Sequence, residues 1–253
     1  MEENQKDVST LFSDKSDLYA AARPTYPKAL FSWIAEQSPD TNVVWDCATG
    51  NGQGAVGLVD FFKTVEATDI SESQLSHAFP HPQIRYSKQP AEQTTFENSY
   101  FDTVHVAQAL HWFDYEKFWP EVQRVLKPGG LFVAHSYDLA SITPEIDQAI
   151  REHLSSRLTS YWSAGNQIAQ EGYQSIPFPL DSITPPTIPF TIAWDLDQLF
   201  NFFHTWSATR KLMKKAGHGF FVDAYNNVQK VWGSPQQKKM ITFPFHIIAG
   251  RRT

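Results

Sequence analysis

One stretch of this chain has residue types and spacing suited to holding a ligand. Asp46-Cys47-Ala48-Thr49-Gly50-Asn51-Gly52-Gln53-Gly54 follows the short apolar run Asn42–Trp45 and precedes an apolar segment with helical character. Glycines in such a turn let backbone approach a bound molecule closely, and the helix start behind them offers free N–H groups. Asp69 follows about twenty residues on, at the end of the next apolar run, where a carboxylate can accept both hydroxyls of a ribose. Ile70, next in sequence, could pack on the attached base. A structural tight turn is the bland alternative for the glycines, and an ordinary core isoleucine the alternative for Ile70.

Asp46 stands just before the glycines. A carboxylate there would repel the pyrophosphate of a dinucleotide but could hold a cationic amino group, directly or through water. S-adenosylmethionine has an ammonium, a sulfonium and no phosphate, and the turn lacks the G-x-G-x-x-G spacing of a dinucleotide site. The residues therefore lean towards S-adenosylmethionine and away from NAD, with Asp46 and Gly50 at its methionine end.

His111 and Trp112 follow another buried run, Asp102–Ala107. His111 suits a general base or a hydrogen bond to a substrate oxygen, or else orients its loop; Trp112 suits a pocket wall. Trp206 and Arg210 lie four residues apart, on one face if that stretch is helical. Arg210 could clamp a substrate carboxylate in a bidentate pair, or form an exposed salt bridge. The histidines are too scattered to suggest a metal site.

These residues need elements to position them. Short apolar runs at Asn42–Asp46, Thr64–Thr68, Gln83–Ser87, Asp102–Ala107 and Leu131–Tyr137 alternate with helical patterns at Ala55–Phe62, Ser71–His77 and Tyr115–Leu126. Ser71 and Gln74 form a capping box. Such alternation implies right-handed βαβ units and a parallel sheet. Lys28–Gln37 reads as a helix before the first strand. After Ser141 the pattern changes: Thr143–Leu158 reads as helix, Tyr161–Pro189 as irregular, Phe190–Trp194 as strand, Leu196–Phe203 and Phe220–Trp232 as helices, and Met240–Ala249 as extended.

Composition narrows the function classes. With 253 residues and 42% hydrophobic content the chain can bury one large core. A formal net charge of −6 argues against a broad nucleic-acid or anionic-membrane footprint. One cysteine, Cys47, excludes an internal disulfide framework. The polar, acidic N-terminal residues carry no secretory-signal pattern and no apolar run is long enough to span a bilayer, so a cytoplasmic protein with no membrane insertion is expected.

The turn residues Asp46–Gln53 resemble motif I of the class I methyltransferases, D-x-G-x-G-x-G. More specifically, the chain is similar to the methyltransferase type 11 group that includes trans-aconitate methyltransferase-like proteins. Tyr19-Ala20-Ala21-Ala22-Arg23-Pro24-Thr25-Tyr26-Pro27 resembles that group's Y-x-x-x-R-P-x-Y-P segment. Ala107-Gln108-Ala109-Leu110-His111-Trp112-Phe113-Asp114 resembles its segment after strand four, and Arg124-Val125-Leu126-Lys127-Pro128-Gly129-Gly130 its turn before strand five. The likeness is strong from Tyr19 to Tyr137 and fainter beyond.

The resemblance implies a Rossmann-like α/β fold: a seven-stranded sheet with the last strand antiparallel, helices on both faces, an N-terminal helical lid and a C-terminal helical and aromatic cover. It implies one methyltransferase domain over 1–253, with lid and helix at 1–40, cofactor core at 41–137, cover at 138–189 and sheet-completing elements at 190–253. It further implies that Tyr19 and Arg23 close on the cofactor carboxylate, that Ala91 and Glu92 lie beside the adenine, and that Gln108 lies near the methyl group. Ala48 replaces the first motif glycine, and its methyl is small enough to keep cofactor binding. The expected activity is in-line methyl transfer from S-adenosylmethionine to a small-molecule acceptor such as a carboxylic acid, needing no base if the acceptor is already ionised. An NAD-dependent oxidoreductase and a non-catalytic cofactor-binding relative are the alternatives. A nucleic-acid methyltransferase would need a basic track or a target-base motif, and the chain has neither.

Overall fold

A computed structural model describes residues 22–253. The chain divides into two compact units. The larger comprises Thr25–Leu139, Ala164–Phe190 and Pro244–Thr253. Its strands are β1 Val43–Cys47, β2 Thr64–Asp69, β3 Ile84–Lys88, β4 Phe101–Ala107, β5 Leu126–Tyr137 and β6 Asp181–Ile183. Its helices are α1 Lys28–Gln37, α2 Gln53–Leu58, α3 Glu72–Leu75 and α4 Tyr115–Val125. Helix α5, Pro144–Ile150, belongs to the Ala140–Ser163 segment of the smaller unit, and the larger resumes with α6, Ala164–Gln170. Further on come β7 Thr191–Trp194, α7 Leu196–His204, α8 Ser207–Ala216, α9 Gly219–Trp232, β8 Lys239–Thr242 and β9 Phe245–Arg251.

In the larger unit seven strands form one sheet in the order β3-β2-β1-β4-β5-β9-β6. Pairs β1–β2, β1–β4, β2–β3 and β4–β5 are parallel, while β9 runs antiparallel to both β5 and β6. This is the expected Rossmann-like sheet with its last strand antiparallel. The period of two along the strands explains the layering. Val44, Val65, Ala67, Leu131 and Val133 face α1 and α2, packing on Leu30, Phe31, Ile34, Ala55 and Leu58. Trp45, Cys47, Val104, Val106, Phe132 and Ala134 face the other way, onto Phe118, Trp119 and Val122 of α4 and Ala169 of α6. Helices therefore cover both faces.

Chain order reverses between β1 and β4: β2 and β3 extend one way, β4 and β5 the other. The carboxyl ends of these two strands flank the crevice where open α/β sheets bind ligands.

The smaller unit comprises Met1–Pro24, Ala140–Ser163 and Thr191–Phe243; within it, residues from 22 on are described. It holds the antiparallel pair β7–β8 and helices α5, α7, α8 and α9. Asp195 caps α7 in a capping box with Gln198. The aromatic enrichment of the C-terminal half forms this unit's core, with Trp194, Phe202, Trp206 and Phe243 packed edge to face or tilted.

Several elements differ from the sequence expectation. Tyr161–Pro189, read as irregular, contains α6 and the edge strand β6, whose three residues are too short for a periodicity signal. Phe190–Trp194 and the start of Met240–Ala249 do not complete the main sheet; β7 and β8 pair with each other. Helix α8, unassigned from sequence, brackets Arg210. The Thr143–Leu158 helix is interrupted by a π-helical turn at Arg151–Ser155. Strand β5 begins at Leu126, which pairs with Phe101; Lys127–Gly130 then form the register shift before Leu131 pairs with Thr103.

Candidate functional site

The glycine-rich turn connects β1 to α2 at the crevice. Its backbone turns left-handed at Ala48 (φ 55°), Gly50 (φ 58°) and Gly52 (φ 89°). A Cβ at Gly52 would run into Tyr86 Oη, so a side chain there would have to displace that ring. Ala48 accepts the left-handed conformation despite its Cβ, a strained arrangement of the kind concentrated at ligand sites. Gln108, at the end of the neighbouring β4, is left-handed too (φ 55°). Its N–H donates to His135 O at 2.9 Å and its side-chain amide to Tyr137 O at 3.3 Å. The two central strands thus both end in strained non-glycine residues, at the reversal of strand order.

Asp69 terminates β2 and reaches back to the turn. Gly50 N–H donates to its Oδ2 at 2.9 Å and Ser71 N–H to its Oδ1 at 2.8 Å. Each oxygen keeps a further lone pair for a ligand hydroxyl. Ile70 beside it is 69% exposed, so the core-isoleucine alternative fails. Ala91 is buried in the core. Glu92 is not merely solvated: its Oε1 accepts the Asp114 N–H, at the start of α4, at 3.1 Å.

Asp46 is 1% exposed. Thr49 Oγ1 donates to its Oδ2 at 2.5 Å, and His105 Nδ1 meets its Oδ1 at 2.7 Å. His105 Nε2 in turn lies 2.9 Å from His135 Nε2. Sequence reasoning passed over His105, His135, Thr49 and Tyr86. The available signal was two histidines inside otherwise apolar strands, because a buried polar side chain requires a partner.

Acidic groups dominate the local field. Burial pushes the Cys47 thiol up, and the nearby Asp46, Glu92, Asp69 and Glu121 carboxylates push it further. Burial, then Asp46, raises the Tyr86 hydroxyl to about 12. Such a site suits a cationic ligand and opposes a pyrophosphate, so this donor set fits S-adenosylmethionine.

His111 lies on a single 3-10 turn, Leu110–Trp112, past the end of β4. It is buried against Trp112 and Tyr173, and its Nδ1 has no hydrogen-bond partner. Burial lowers its pKa to about 4, so it is neutral near pH 7. Trp112 is 57% exposed.

The remaining expected residues belong to the smaller unit. Arg23 lies over the Phe202 ring at 5.7 Å. Trp206 is buried among Trp162, Phe202 and Phe203, and Arg210 is exposed on α8. Tyr19 lies outside the described residues.

A Rossmann-like sheet with a strained turn and clustered carboxylates at its crevice belongs to the class of α/β proteins that bind nucleoside-type ligands at that place. Comparison with known proteins places it further. Residues 45–134 match the family model described as a methyltransferase domain. A solved structure from Anaeromyxobacter dehalogenans, named as a type II methyltransferase, is 34% identical, aligns over 90% of this chain and 97% of that one, and superposes with a TM-score of 0.84. A Dictyostelium discoideum protein named as a methyltransferase is 25% identical over 96% of this chain and 97% of its own length. An uncharacterised methyltransferase of Mycobacterium tuberculosis is 33% identical over about half of each chain. The chain belongs to the class I S-adenosylmethionine-dependent methyltransferases. Among the described residues no helix is long and apolar enough to cross a membrane.

Proposed function

We propose that this enzyme methylates a small-molecule carboxylic acid. S-adenosylmethionine, when bound, supplies an electrophilic methyl group for in-line displacement by the acceptor. Asp69 holds the ribose hydroxyls and Ile70 covers the adenine, with Ala91 and Glu92 along its edge. Ala48 and Gly50 offer backbone to the methionine portion, and Asp46, through Thr49, supplies negative charge beneath it. Gln108 stands beside the reacting centre. The observation that carries the cofactor half of this reading is Asp69 spanning the Gly50 and Ser71 amides in an electronegative crevice.

His111 supports the acceptor class. A histidine held near pKa 4 is a weak base, poorly matched to deprotonating a hydroxyl or amine at neutral pH. A carboxylate is already ionised there and needs no base. The His111 imidazole is suited instead to position its loop, with the exposed Trp112 as a wall beside the acceptor.

Calorimetric titration with S-adenosylhomocysteine tests the cofactor half. Asp69→Ala should weaken binding at least tenfold, about 1.4 kcal/mol; undiminished binding would remove Asp69 from the site. A panel of small carboxylic, hydroxylated and amine acceptors, assayed for methyl transfer, tests the other half. Turnover of amines or alcohols but not acids would overturn the acceptor assignment.

A further inference from the structure

Behind the glycine-rich turn lies a buried chain of three titratable groups, Asp46, His105 and His135, on adjacent strands β1, β4 and β5. Both histidines are 0% exposed. An N···N contact of 2.9 Å between His105 and His135 needs one proton between the rings. The Asp46–His105 contact at 2.7 Å needs another. Two proton inventories satisfy these contacts. In one, both imidazoles are neutral: His105 donates from Nδ1 to Asp46 and His135 donates from Nε2 to His105, so the chain carries Asp46's negative charge. In the other, one proton more is present: His105 is an imidazolium donating to Asp46 and to His135 Nε2, His135 carries its hydrogen on the buried Nδ1, which has no partner and makes this the costlier inventory, and the chain is neutral.

The surroundings make this proton count sensitive to charge. Phe31 from α1 and the edge of Phe245 from β9 pack on the rings, and Gly54 of α2 leaves Asp46 and His105 no space, its would-be Cβ lying 2.9 Å from Asp46 Oδ1 and from His105 Cε1. The titratable neighbours among the described residues are the Cys47 thiol, which burial and then Asp46 push up, and three tyrosines: Tyr26, whose ring meets His135 at 4.6 Å, Tyr137 beyond it, and Tyr86 beside Asp46. Near neutral pH the thiol is therefore uncharged, and the tyrosines are uncharged phenols. Burial and the adjacent His105 hold His135 well below the ordinary histidine range. The member of the chain at the cofactor turn is Asp46, which accepts a hydrogen bond from Thr49.

We infer that Asp46, His105 and His135 form a proton-sharing relay that reads the charge of the cofactor, with His105 and His135 as positioning residues acting through Asp46. The inference rests on the cofactor reading above. A bound sulfonium favours the inventory in which the chain is negative, so binding the donor expels a proton. The thioether left after methyl transfer has lost that charge, so the product lets the proton return. The relay thus favours donor over product as pH rises. With one full proton released, the ratio of the two dissociation constants changes by up to about tenfold per pH unit.

The test is calorimetric titration of the full chain with S-adenosylmethionine and with S-adenosylhomocysteine, in buffers of different ionisation enthalpy, between about pH 5 and pH 8. The variation of apparent enthalpy with buffer counts protons. Wild type should release more protons with the donor than with the product over part of this range. His135→Phe, which keeps ring volume among Tyr26 and Phe245, should remove that difference while still binding both ligands; His105→Asn should do the same. Equal counts for the two ligands in wild type, or a difference that survives both substitutions, would overturn the relay while leaving the cofactor site intact. Failure of wild type to bind either ligand would overturn the cofactor reading and the relay with it.

Discussion

His111 makes a quantitative demand on stability. Its ring is buried with Nδ1 unpartnered, and burial lowers its pKa from 6.5 to about 4. Above pH 6.5 the imidazole is neutral in folded and unfolded chains alike and costs nothing. As pH falls through 6.5 the unfolded chain takes up a proton that the folded chain refuses, so stability drops until the folded group titrates near 4. The full loss is about 2.5 pH units at 1.36 kcal/mol each, roughly 3 kcal/mol. Between pH 7 and pH 5 the same linkage gives about 2 kcal/mol. Other buried groups add their own acid sensitivity, so the informative quantity is a difference. Urea unfolding of wild type and His111→Gln at several pH values yields it. Stability of the variant relative to wild type should rise by about 2 kcal/mol on going from pH 7 to pH 5. A difference constant to within about 0.5 kcal/mol would refute the claim that burial keeps His111 neutral, and with it the argument against a basic role.

Two further substitutions probe the turn. Ala48→Gly relieves a left-handed alanine at φ 55° and should leave the protein as stable as wild type or up to about 1 kcal/mol more stable in thermal or urea unfolding; clear destabilisation would show that the Ala48 methyl is a packing group. Gly54→Ala drives a methyl to 2.9 Å from Asp46 Oδ1 and His105 Cε1. It should cost about 1–3 kcal/mol and weaken S-adenosylhomocysteine in calorimetry; unchanged stability and affinity would mean that the Asp46–His105 contact is looser than the geometry requires.

The sequence alone determined the elements whose signals are local. Glycine spacing at Gly50–Gly54, Asp69 at a strand end and the Ser71 cap lie within about twenty residues of one another, each apolar run or helical pattern is itself short, and each is set by backbone sterics or by one-face burial. These features pointed to the parallel core and leaned towards S-adenosylmethionine over a dinucleotide. The antiparallel last strand came from the family resemblance rather than from any local pattern. Tertiary structure alone decided what depends on pairing between distant segments. Strand β6 takes its place by bonding to β9, some 65 residues on, and β7 chooses β8 instead of the main sheet; three or four residues carry too little periodicity to announce either. The Asp46–His105–His135 relay has the same origin. Each member looks like an isolated polar residue in a strand, and only the registers of β1, β4 and β5 bring a carboxylate and two imidazoles, 59 and 30 residues apart, into one hydrogen-bonded chain.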